Sequence, residues 1–353
     1  MAENAITFTI FSYSQTILDK RLHSLKFWLE KELGLPLTSI EVASADASFR
    51  RYFRITIKRN SSQFDYLPET MIAMDSPPEH EDNALFIHCT NILKHCKLNV
   101  PNIYFQNLAS GFLLIKDLGV RTYDQVLNKS NADKLYSGAT SALLKMQKNA
   151  DHSAAPSYDA EKLQNEMSLF EDWYIAQHHN ARLDQAQQNK LHRIYSVLID
   201  NAREQDQVLV HRDYHCRNLL LTEETVGIID YQDMVYGPIT YDIVSLFKDC
   251  YIEWPTERVQ QWSLSFQKSA LDAGLTTEKS PQQWLQWFDL MGVQRHLKIL
   301  GIFCRLYYRD GKQQYMSNLD LTYRYLLQTC EKYQSLEDLV DLLNRFPVSN
   351  TNT

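Results

Sequence analysis

The stretch from Val208 to Asp233 constrains the fold of this chain more than any other part of its sequence. Its apolar runs Val208–Val210, Leu219–Leu221 and Val226–Ile229 predict three short buried strands. The four polar residues 222–225 join the last two runs, which is typical of a β-hairpin with a four-residue loop. The chain is therefore expected to fold back on itself here and to gather polar side chains at the open end of the hairpin.

The register of this hairpin predicts which polar side chains meet. If the two strands pair symmetrically about the loop, Asn218 lies opposite Ile229 and next to Asp230. Paired strands lie about 5 Å apart, so an amide and a carboxylate come together at the open end. Asp213 lies in the loop that enters the same end. Two carboxylates and an amide oxygen are suitable ligands for a hard cation such as Mg²⁺.

The spacing of these residues also matches a known catalytic pattern. His211–Asp213 followed by Asn218 has the H-R-D-x-x-x-x-N spacing of the protein kinase catalytic loop. Asp230 then stands at the position of the D-F-G aspartate, but Tyr231 and Gln232 follow it, so the D-F-G pattern itself is not kept. This departure favours a kinase of small molecules over a protein kinase.

Composition limits the remaining classes of function. The 353 residues are enough for two lobes with their own cores, and the net charge of -7 argues against a nucleic-acid binder. No apolar run approaches the roughly 18 residues that a membrane span needs, and the N-terminal residues lack the features of a signal peptide. The six cysteines form no C-x-x-C pair, which predicts reduced thiols and a cytoplasmic location. No obligate protein partner is evident.

The N-terminal part of the chain shows a strand, a polar turn and a second strand where a phosphate-covering loop belongs in the kinase plan. The turn, residues 44–51, contains no glycine and so fails the G-x-G-x-x-G pattern. Small side chains such as Ser48 still let backbone N–H groups approach a phosphate, and Arg51 or Arg54 could supply positive charge. An ordinary hairpin turn with solvated arginines is the alternative interpretation.

The next predicted strand, Thr70–Asp75, occupies the place of the kinase V-A-I-K strand, but Met74 stands where the lysine is expected. Lys116 and Asp117 follow a later apolar strand at the expected hinge between two lobes, where backbone groups could bind an adenine edge. A plain strand-to-helix turn is the alternative. From Thr122 onward the apolar periodicity is mostly helical.

These segments together resemble the aminoglycoside phosphotransferase/choline kinase superfamily over nearly the whole chain. Within it, the chain is most similar to the bacterial anomeric sugar kinases, which phosphorylate N-acetylmuramate and N-acetylglucosamine at the C1 hydroxyl. The segments that carry the resemblance are residues 46–54, 74–79, 211–218, 229–233, 235–242 and 301–312. The resemblance implies an α+β, protein-kinase-like bilobal fold. A small nucleotide-binding sheet lobe is expected at residues 1–116 and a mainly helical catalytic and substrate lobe at residues 117–353.

The resemblance also implies ATP as the donor, Mg²⁺ as the cofactor and an amino sugar as the substrate, in cell-wall sugar recycling. Asp213 would orient the sugar hydroxyl and accept its proton, while Asn218 and Asp230 would hold Mg²⁺. The expected nucleotide contacts are Ser48, Phe49, Arg51, Arg54, Lys116 and Asp117. The expected sugar contacts are Asp213, Asp233, Arg305, Arg309 and Asp310.

Two alternatives stay open at this point. One is another small-molecule kinase, acting on an aminoglycoside, on choline or on an unrelated alcohol. The other is a nucleotide-binding regulatory pseudokinase, which the missing strand lysine would fit. Asp242 also has two interpretations, because it either hydrogen-bonds the backbone of the catalytic loop or simply opens the next helix with a favourable carboxylate.

Overall fold

The computed structural model describes residues 20–45, 49–58, 62–151 and 155–348. The chain divides into two compact units. The N-terminal unit is formed by Met1–Asn91 and Val100–Gly119, and the C-terminal unit by Ile92–Asn99 and Val120–Thr353. The assignment of nucleotide binding to residues 1–116 and of catalysis to residues 117–353 stays a prediction.

The N-terminal unit is built on a five-stranded antiparallel sheet with the strand order β1-β2-β3-β5-β4. The strands are β1 (Leu37–Ala45), β2 (Arg51–Ile57), β3 (Thr70–Asp75), β4 (Ile103–Asn107) and β5 (Phe112–Lys116). Two helices accompany the sheet. They are α1, residues 20–32 with a π-helical end at Trp28–Glu32, and α2 (Asn83–His95), which continues into the C-terminal unit.

The core of this unit lies between the sheet and α1. Alternate residues of β2, among them Phe53 and Ile55, are buried, as expected for a strand with one covered face. They join a cluster that includes Leu25 and Trp28 of α1. The chain enters β5 through Gly111, whose φ of +71° suits glycine. A Cβ atom at this position would lie 1.9 Å from the carbonyl oxygen of Ser76, so no other residue fits.

The C-terminal unit is mainly helical, in agreement with the sequence-based expectation. Its helices are α3 (Tyr123–Val126), α4 (Ala132–Asn149), α5 (Ala160–Leu169, continuing as a π-helical segment Phe170–His178), α6 (Gln185–Glu204), α7 (Tyr241–Phe247), α8 (Thr256–Asp272), α9 (Pro281–Tyr308), α10 (Leu319–Cys330) and α11 (Glu337–Arg345). Two short ladders carry the loops between α6 and α7. They pair β6 (Gln207–Val210) with β9 (Val235–Pro238), and β7 (Leu219–Leu220) with β8 (Gly227–Ile228).

Helix α9 runs through the middle of this unit and is buried along most of its length. It packs closely on α5 at Gly301, where an added Cβ atom would lie 2.3 Å from the carbonyl carbon of Leu169. Only a glycine allows this approach of the two backbones. The contact therefore determines where the polar residues of α9 lie relative to α5.

The cysteines and the helices agree with two further expectations. All six cysteines are buried and free of disulfide bonds, as predicted from their scattered positions. Within the described residues, no helix combines the length and the apolar character that a membrane crossing requires.

Candidate active site

The β7–β8 hairpin has the register that the sequence predicted. Leu219 pairs with Ile228, so Asn218 lies opposite Ile229, and the Ile229 amide donates to the Asn218 carbonyl at 3.1 Å. The side chains of Asn218 and Asp230 meet at the open end, with the Asn218 Nδ2 atom 3.2 Å from Asp230 Oδ2. The same Nδ2 atom donates to the carbonyl of Asp213 at 3.0 Å. The three residues are thus brought together.

Backbone strain is concentrated at this site. Arg212 has φ +77° and Asp230 has φ +64°, which are left-handed conformations that residues other than glycine rarely adopt. Such conformations persist only where the surrounding structure holds them, and they are found preferentially at functional sites. Gln232 helps to hold Asp230, since its Nε2 atom donates to Asp230 Oδ1 at 2.8 Å.

Two buried carboxylates hold the backbone of the catalytic loop. Asp242, at the start of α7, accepts hydrogen bonds from the amides of His211 at 2.7 Å and Arg212 at 3.0 Å. Asp249 accepts from the amide of Cys216 at 2.9 Å. Of the two interpretations of Asp242, the structure therefore supports the one in which it anchors the loop. Burial raises the pKa of Asp242 to about 7, against the lowering effect of these hydrogen bonds.

His211 connects the loop to the hairpin as a neutral side chain. Burial lowers its pKa to about 4, so the ring carries one proton at neutral pH. The Nε2 atom lies 3.2 Å from the Ile229 carbonyl, and the amide of Asp213 donates to Nδ1 at 3.3 Å. This arrangement places the ring proton on Nε2. His211 is thus a structural support of the loop.

The carboxylate of Asp213 is half-buried and, among the residues that the structure describes, accepts no hydrogen bond. It is therefore open to an incoming hydroxyl group. Burial alone would raise the pKa of Asp213, but the positive charges of Lys298 and Arg295, with smaller contributions from His215 and Arg212, outweigh it and hold the pKa well below its usual range. The group is consequently a carboxylate at neutral pH.

A buried polar cluster lies beside Asp213. Glu166 of α5 forms ion pairs with Arg212 and, at 3.4 Å, with the Nζ atom of Lys298 on α9. Glu166 also accepts a hydrogen bond from the hydroxyl of Tyr158, and Lys298 Nζ lies 3.2 Å from the hydroxyl of Tyr241. Burial would raise the pKa of Glu166, but the charges of Lys298 and Arg212 lower it. The cluster thus holds the side chain of Arg212 and the end of the loop in place.

Sequence reasoning missed Glu166, Arg295 and Lys298. Arg295 and Lys298 lie three residues apart on α9 and are only 2% and 5% exposed. A signal was present, because residues 294–298 put four polar side chains into a helix that is otherwise apolar in its middle. Charged residues on a buried helix face are uncommon without a partner or a function. Their position beside Asp213 depends on the packing of α9, which the sequence does not reveal.

The predicted sugar contacts have different surroundings. Asp233 is exposed, and its carbonyl lies 3.4 Å from Arg212 Nη1. Arg309 and Asp310 are exposed and form an ion pair with each other at 2.7 Å. Arg305 is half-buried on α9, and its Nε atom is buried without a partner among the described residues. These residues remain predicted sugar contacts.

The predicted nucleotide contacts belong to the N-terminal unit, and Ser48 lies outside the described residues. Phe49 is 62% exposed and stacks on His80 with 4.2 Å between the ring centroids. The predicted cations Arg51 and Arg54 are paired with carboxylates. Arg51 is paired with Asp75, and Arg54 with Asp117 at 2.6 Å.

The strand position of the kinase lysine is occupied by the fully buried Met74. Lys116, at the end of β5, makes no ion pair among the described residues. Among the predicted nucleotide contacts, Lys116 is therefore a cation that no carboxylate of the described residues already holds.

Comparison with known proteins agrees with the geometry. The model of the phosphotransferase enzyme family matches residues 39–276. A relative from Pseudomonas putida, named N-acetylmuramate/N-acetylglucosamine kinase, is 38% identical over 335 residues, which cover 92% of this chain and 96% of the relative. A relative of the same name from Pseudomonas aeruginosa is 38% identical over 339 residues, covering 93% and 98%.

Solved structures share the fold at low sequence identity. The GDP complex of aminoglycoside 2'-phosphotransferase-IIIa has a TM-score of 0.58 at 13% identity and covers 89% of this chain and 99% of its own. A choline kinase from Streptococcus pneumoniae has a TM-score of 0.57 at 13% identity, covering 88% and 100%. The extent of the family match and the identity to the Pseudomonas relatives show that the chain belongs to the phosphotransferase enzyme family.

Proposed function

We propose that this protein transfers the terminal phosphoryl group of ATP to the anomeric hydroxyl of N-acetylmuramate or N-acetylglucosamine. The observation that carries the proposal is the meeting of Asp213, Asn218 and Asp230 at one end of a hairpin. The relatives at 38% identity, which match this chain over nearly its whole length, are named kinases of these two sugars. The reaction would supply sugar phosphates for cell-wall recycling, in the cytoplasmic location predicted from the reduced cysteines.

Asp213 is the proposed catalytic base. Its carboxylate is ionised and accepts no hydrogen bond from the described residues, so it can accept one from the sugar hydroxyl. A base with a low pKa takes the proton late, after the bond to the phosphoryl group has begun to form. Phosphoryl transfer tolerates this because its transition state is loose, and orientation of the hydroxyl matters more than basicity. An anomeric hydroxyl, which is more acidic than an ordinary alcohol, suits such a base.

The amide oxygen of Asn218 and the carboxylate of Asp230 are the proposed ligands of Mg²⁺. The donor set fits this ion, because Mg²⁺ prefers oxygen ligands and is commonly held by one or two protein groups together with water and phosphate oxygens. The Asn218 Nδ2 atom donates to Asp213 and Asp230, which directs its Oδ1 atom away from them. A bound Mg²⁺ would neutralise charge on the phosphate oxygens.

The nucleotide is proposed to bind to the N-terminal unit near Ser48, Phe49, Arg51, Arg54, Lys116 and Asp117. Because Arg51 and Arg54 are ion-paired with carboxylates, Lys116 is our candidate for the cation that replaces the missing strand lysine. A lysine ammonium serves as a point charge toward phosphate and does not need a fixed geometry. Asp233, Arg305, Arg309 and Asp310 remain candidates for sugar contacts.

The test is an ADP-release assay with Mg-ATP and a panel of N-acetylmuramate, N-acetylglucosamine, choline and an aminoglycoside. We expect turnover with the two amino sugars and a ³¹P spectrum that assigns the product to C1. Asp213→Asn keeps the size of the side chain but removes the base, and we expect it to lower kcat by about 10²–10⁴-fold. Nucleotide binding should be unchanged in this variant.

Three results would contradict the proposal. Turnover with choline or an aminoglycoside alone would identify a different acceptor. Nucleotide binding without turnover of any acceptor would indicate a pseudokinase. Near-normal kcat in Asp213→Asn would remove Asp213 from the mechanism. Arg324→Gln, a change on the exposed face of α10, is the control and should behave as the wild type.

A further inference from the structure

Arg295 is a buried arginine that makes no direct ion pair or hydrogen bond with the described residues, although the charges of Asp213 and Asp249 act on it. Its side chain is 2% exposed, and its Nε atom is buried without a hydrogen bond. Across the part of the chain that the structure describes, the guanidinium group forms neither an ion pair nor a hydrogen bond. The contact that we find is with the ring of Tyr241, whose centroid lies 5.8 Å from Cζ.

This state distinguishes Arg295 from the cations around it. Lys298 is buried as well and Arg212 is half-buried, but both are paired with Glu166. A buried charge that has no partner is costly, and proteins rarely keep one without a function. The guanidinium presents a planar fork of N–H donors that matches a carboxylate or a phosphate. Arg295 therefore has the chemistry of a site for an oxyanion that arrives with a ligand.

The location of Arg295 relates it to the acceptor side of the proposed reaction. Arg295 lies over the ring of Tyr241, and the next residue, Asp242, accepts hydrogen bonds from the amides of His211 and Arg212, which directly precede Asp213. The positive charge of Arg295 is also one of those that lower the pKa of Asp213. The Nδ1 atom of His215, two residues beyond Asp213, is also buried without a partner among the described residues. A ligand that reaches the carboxylate of Asp213 would thus meet further hydrogen-bonding groups that the protein leaves unpaired.

We propose that Arg295 binds the carboxylate of an acidic sugar substrate and so favours N-acetylmuramate over N-acetylglucosamine. The inference rests on the function proposed above. These two sugars differ by one charged group, the lactyl carboxylate, and a carboxylate is what the unpaired guanidinium lacks. The phosphoryl group is the other oxyanion near Asp213, but its charge is already met by the proposed metal site at Asn218 and Asp230. Arg295 is thus a specificity-determining residue.

The test compares three acceptors in steady-state kinetics. They are N-acetylmuramate, its carboxamide, which has the same shape without the charge, and N-acetylglucosamine. We expect Arg295→Gln to lower kcat/KM for N-acetylmuramate about 10- to 100-fold, mainly through KM, which is the size of a lost charge-assisted interaction. For the carboxamide and for N-acetylglucosamine the loss should be clearly smaller, because the effect of the lost charge on Asp213 is the same for all three acceptors and only N-acetylmuramate also loses its carboxylate contact. Arg295→Lys should recover part of the loss because it restores the charge without the fork.

The outcomes separate this inference from others. An equal loss for all three acceptors would overturn it and assign Arg295 to the phosphoryl group or to the fold. A loss of kcat/KM that is selective for N-acetylmuramate in Arg305→Gln, and not in Arg295→Gln, would also overturn the inference. If Arg295→Gln does not fold, the wild type alone provides the test. A wild-type enzyme that does not prefer N-acetylmuramate over its carboxamide also overturns the inference. Absence of turnover with either sugar in the wild type would instead remove the proposed function. Arg324→Gln is the matched control for the charge change.

Discussion

At the scale of single residues, the catalytic loop is held by two buried aspartates and by a neutral histidine. Asp242 and Asp249 accept backbone N–H groups of the loop, and His211 joins the loop to the strand that precedes Asp230. These contacts satisfy backbone groups that would otherwise be buried without a partner. They also maintain the left-handed conformation of Arg212, which precedes the proposed base.

The burial of Asp242 predicts a pH dependence of stability. An aspartate that ordinarily ionises near pH 3.8 keeps its proton to about pH 7 in the folded protein. The stabilisation from this proton is fully present below pH 3.8 and is lost as the pH rises through about 7. Asp242→Asn cannot ionise and so does not lose this stabilisation. The melting temperature of the variant minus that of the wild type should therefore increase by about 2–4 °C from pH 5 to pH 8.5.

Thermal unfolding at several pH values checks this expectation. Asp320→Asn, the same change at an exposed position of α10, is the control and should show no such trend. A difference between Asp242→Asn and the wild type that stays constant with pH, or that moves in the opposite direction, would contradict the assigned protonation of Asp242.

At the scale of elements, α9 connects the core of the C-terminal unit to the site. Its apolar residues enter the main core cluster, and its polar residues Arg295 and Lys298 lie beside the catalytic loop. Gly301 permits the close contact with α5, the helix that carries Glu166. The Glu166–Lys298 ion pair therefore depends on a glycine one turn away on α9.

Replacing each of two glycines of α9 by alanine separates the effect of close packing on stability from the effect of helix propensity. In Gly301→Ala the new Cβ atom would lie 2.3–2.6 Å from atoms of Leu169, so α9 must move. We expect this variant to lose about 1–3 kcal/mol of unfolding free energy. In Gly292→Ala the nearest atom, Cδ of Lys248, is 3.5 Å away, which is an ordinary contact. This control should gain up to about 1 kcal/mol from helix propensity.

Urea denaturation of the two variants measures the difference. If Gly301→Ala were as stable as Gly292→Ala, the contact between α9 and α5 would not have the closeness described above. Activity should follow stability, because a displaced α9 also displaces Arg295 and Lys298.

At the scale of the whole molecule, the two units have separate cores and different amounts of apolar burial. The core cluster of the N-terminal unit is much smaller than that of the C-terminal unit, so polar interactions matter more to its stability. One of these joins the fully buried Asp75 of β3 to Arg51 of β2 and to Arg21 of α1. Arg21 also donates to the carbonyl of Ser110 at 2.8 Å, so it ties α1 to the sheet.

Removal of the shared carboxylate is expected to loosen the N-terminal unit. Asp75 is 0% exposed and is paired with two arginines, and Asp75→Asn removes the negative charge that both of them share. We expect a loss of about 3 kcal/mol. Hydrogen exchange followed by mass spectrometry should show faster exchange in peptides of β2 and β3, with peptides of α9 unchanged.

Asp338→Asn, which breaks an exposed ion pair with Lys190, is the control and should leave exchange in β2 and β3 as in the wild type. Equal exchange in Asp75→Asn and this control would show that the buried ion pairs do not hold α1 and the sheet together.

Local patterns predicted much of the fold. The strand Thr70–Asp75 has the predicted bounds, and the hairpin register follows from the symmetry of its loop. The chain from Thr122 onward is mainly helical, as its apolar periodicity predicts, for example in α4 and α6. These features depend on periodicity and turn chemistry within short windows, which a single sequence displays.

The sequence by itself determined the catalytic loop and the hairpin, because the residues involved lie within 26 positions of one another, from 208 to 233. Tertiary structure decided which distant charges meet them. Arg212 pairs with Glu166 across 46 positions, and Arg21 pairs with Asp75 across 54. Such contacts arise from the packing of helices and strands, which depends on the shape of the whole core. For the same reason Arg295, one of four polar residues in the middle of α9, becomes a buried cation beside the proposed base.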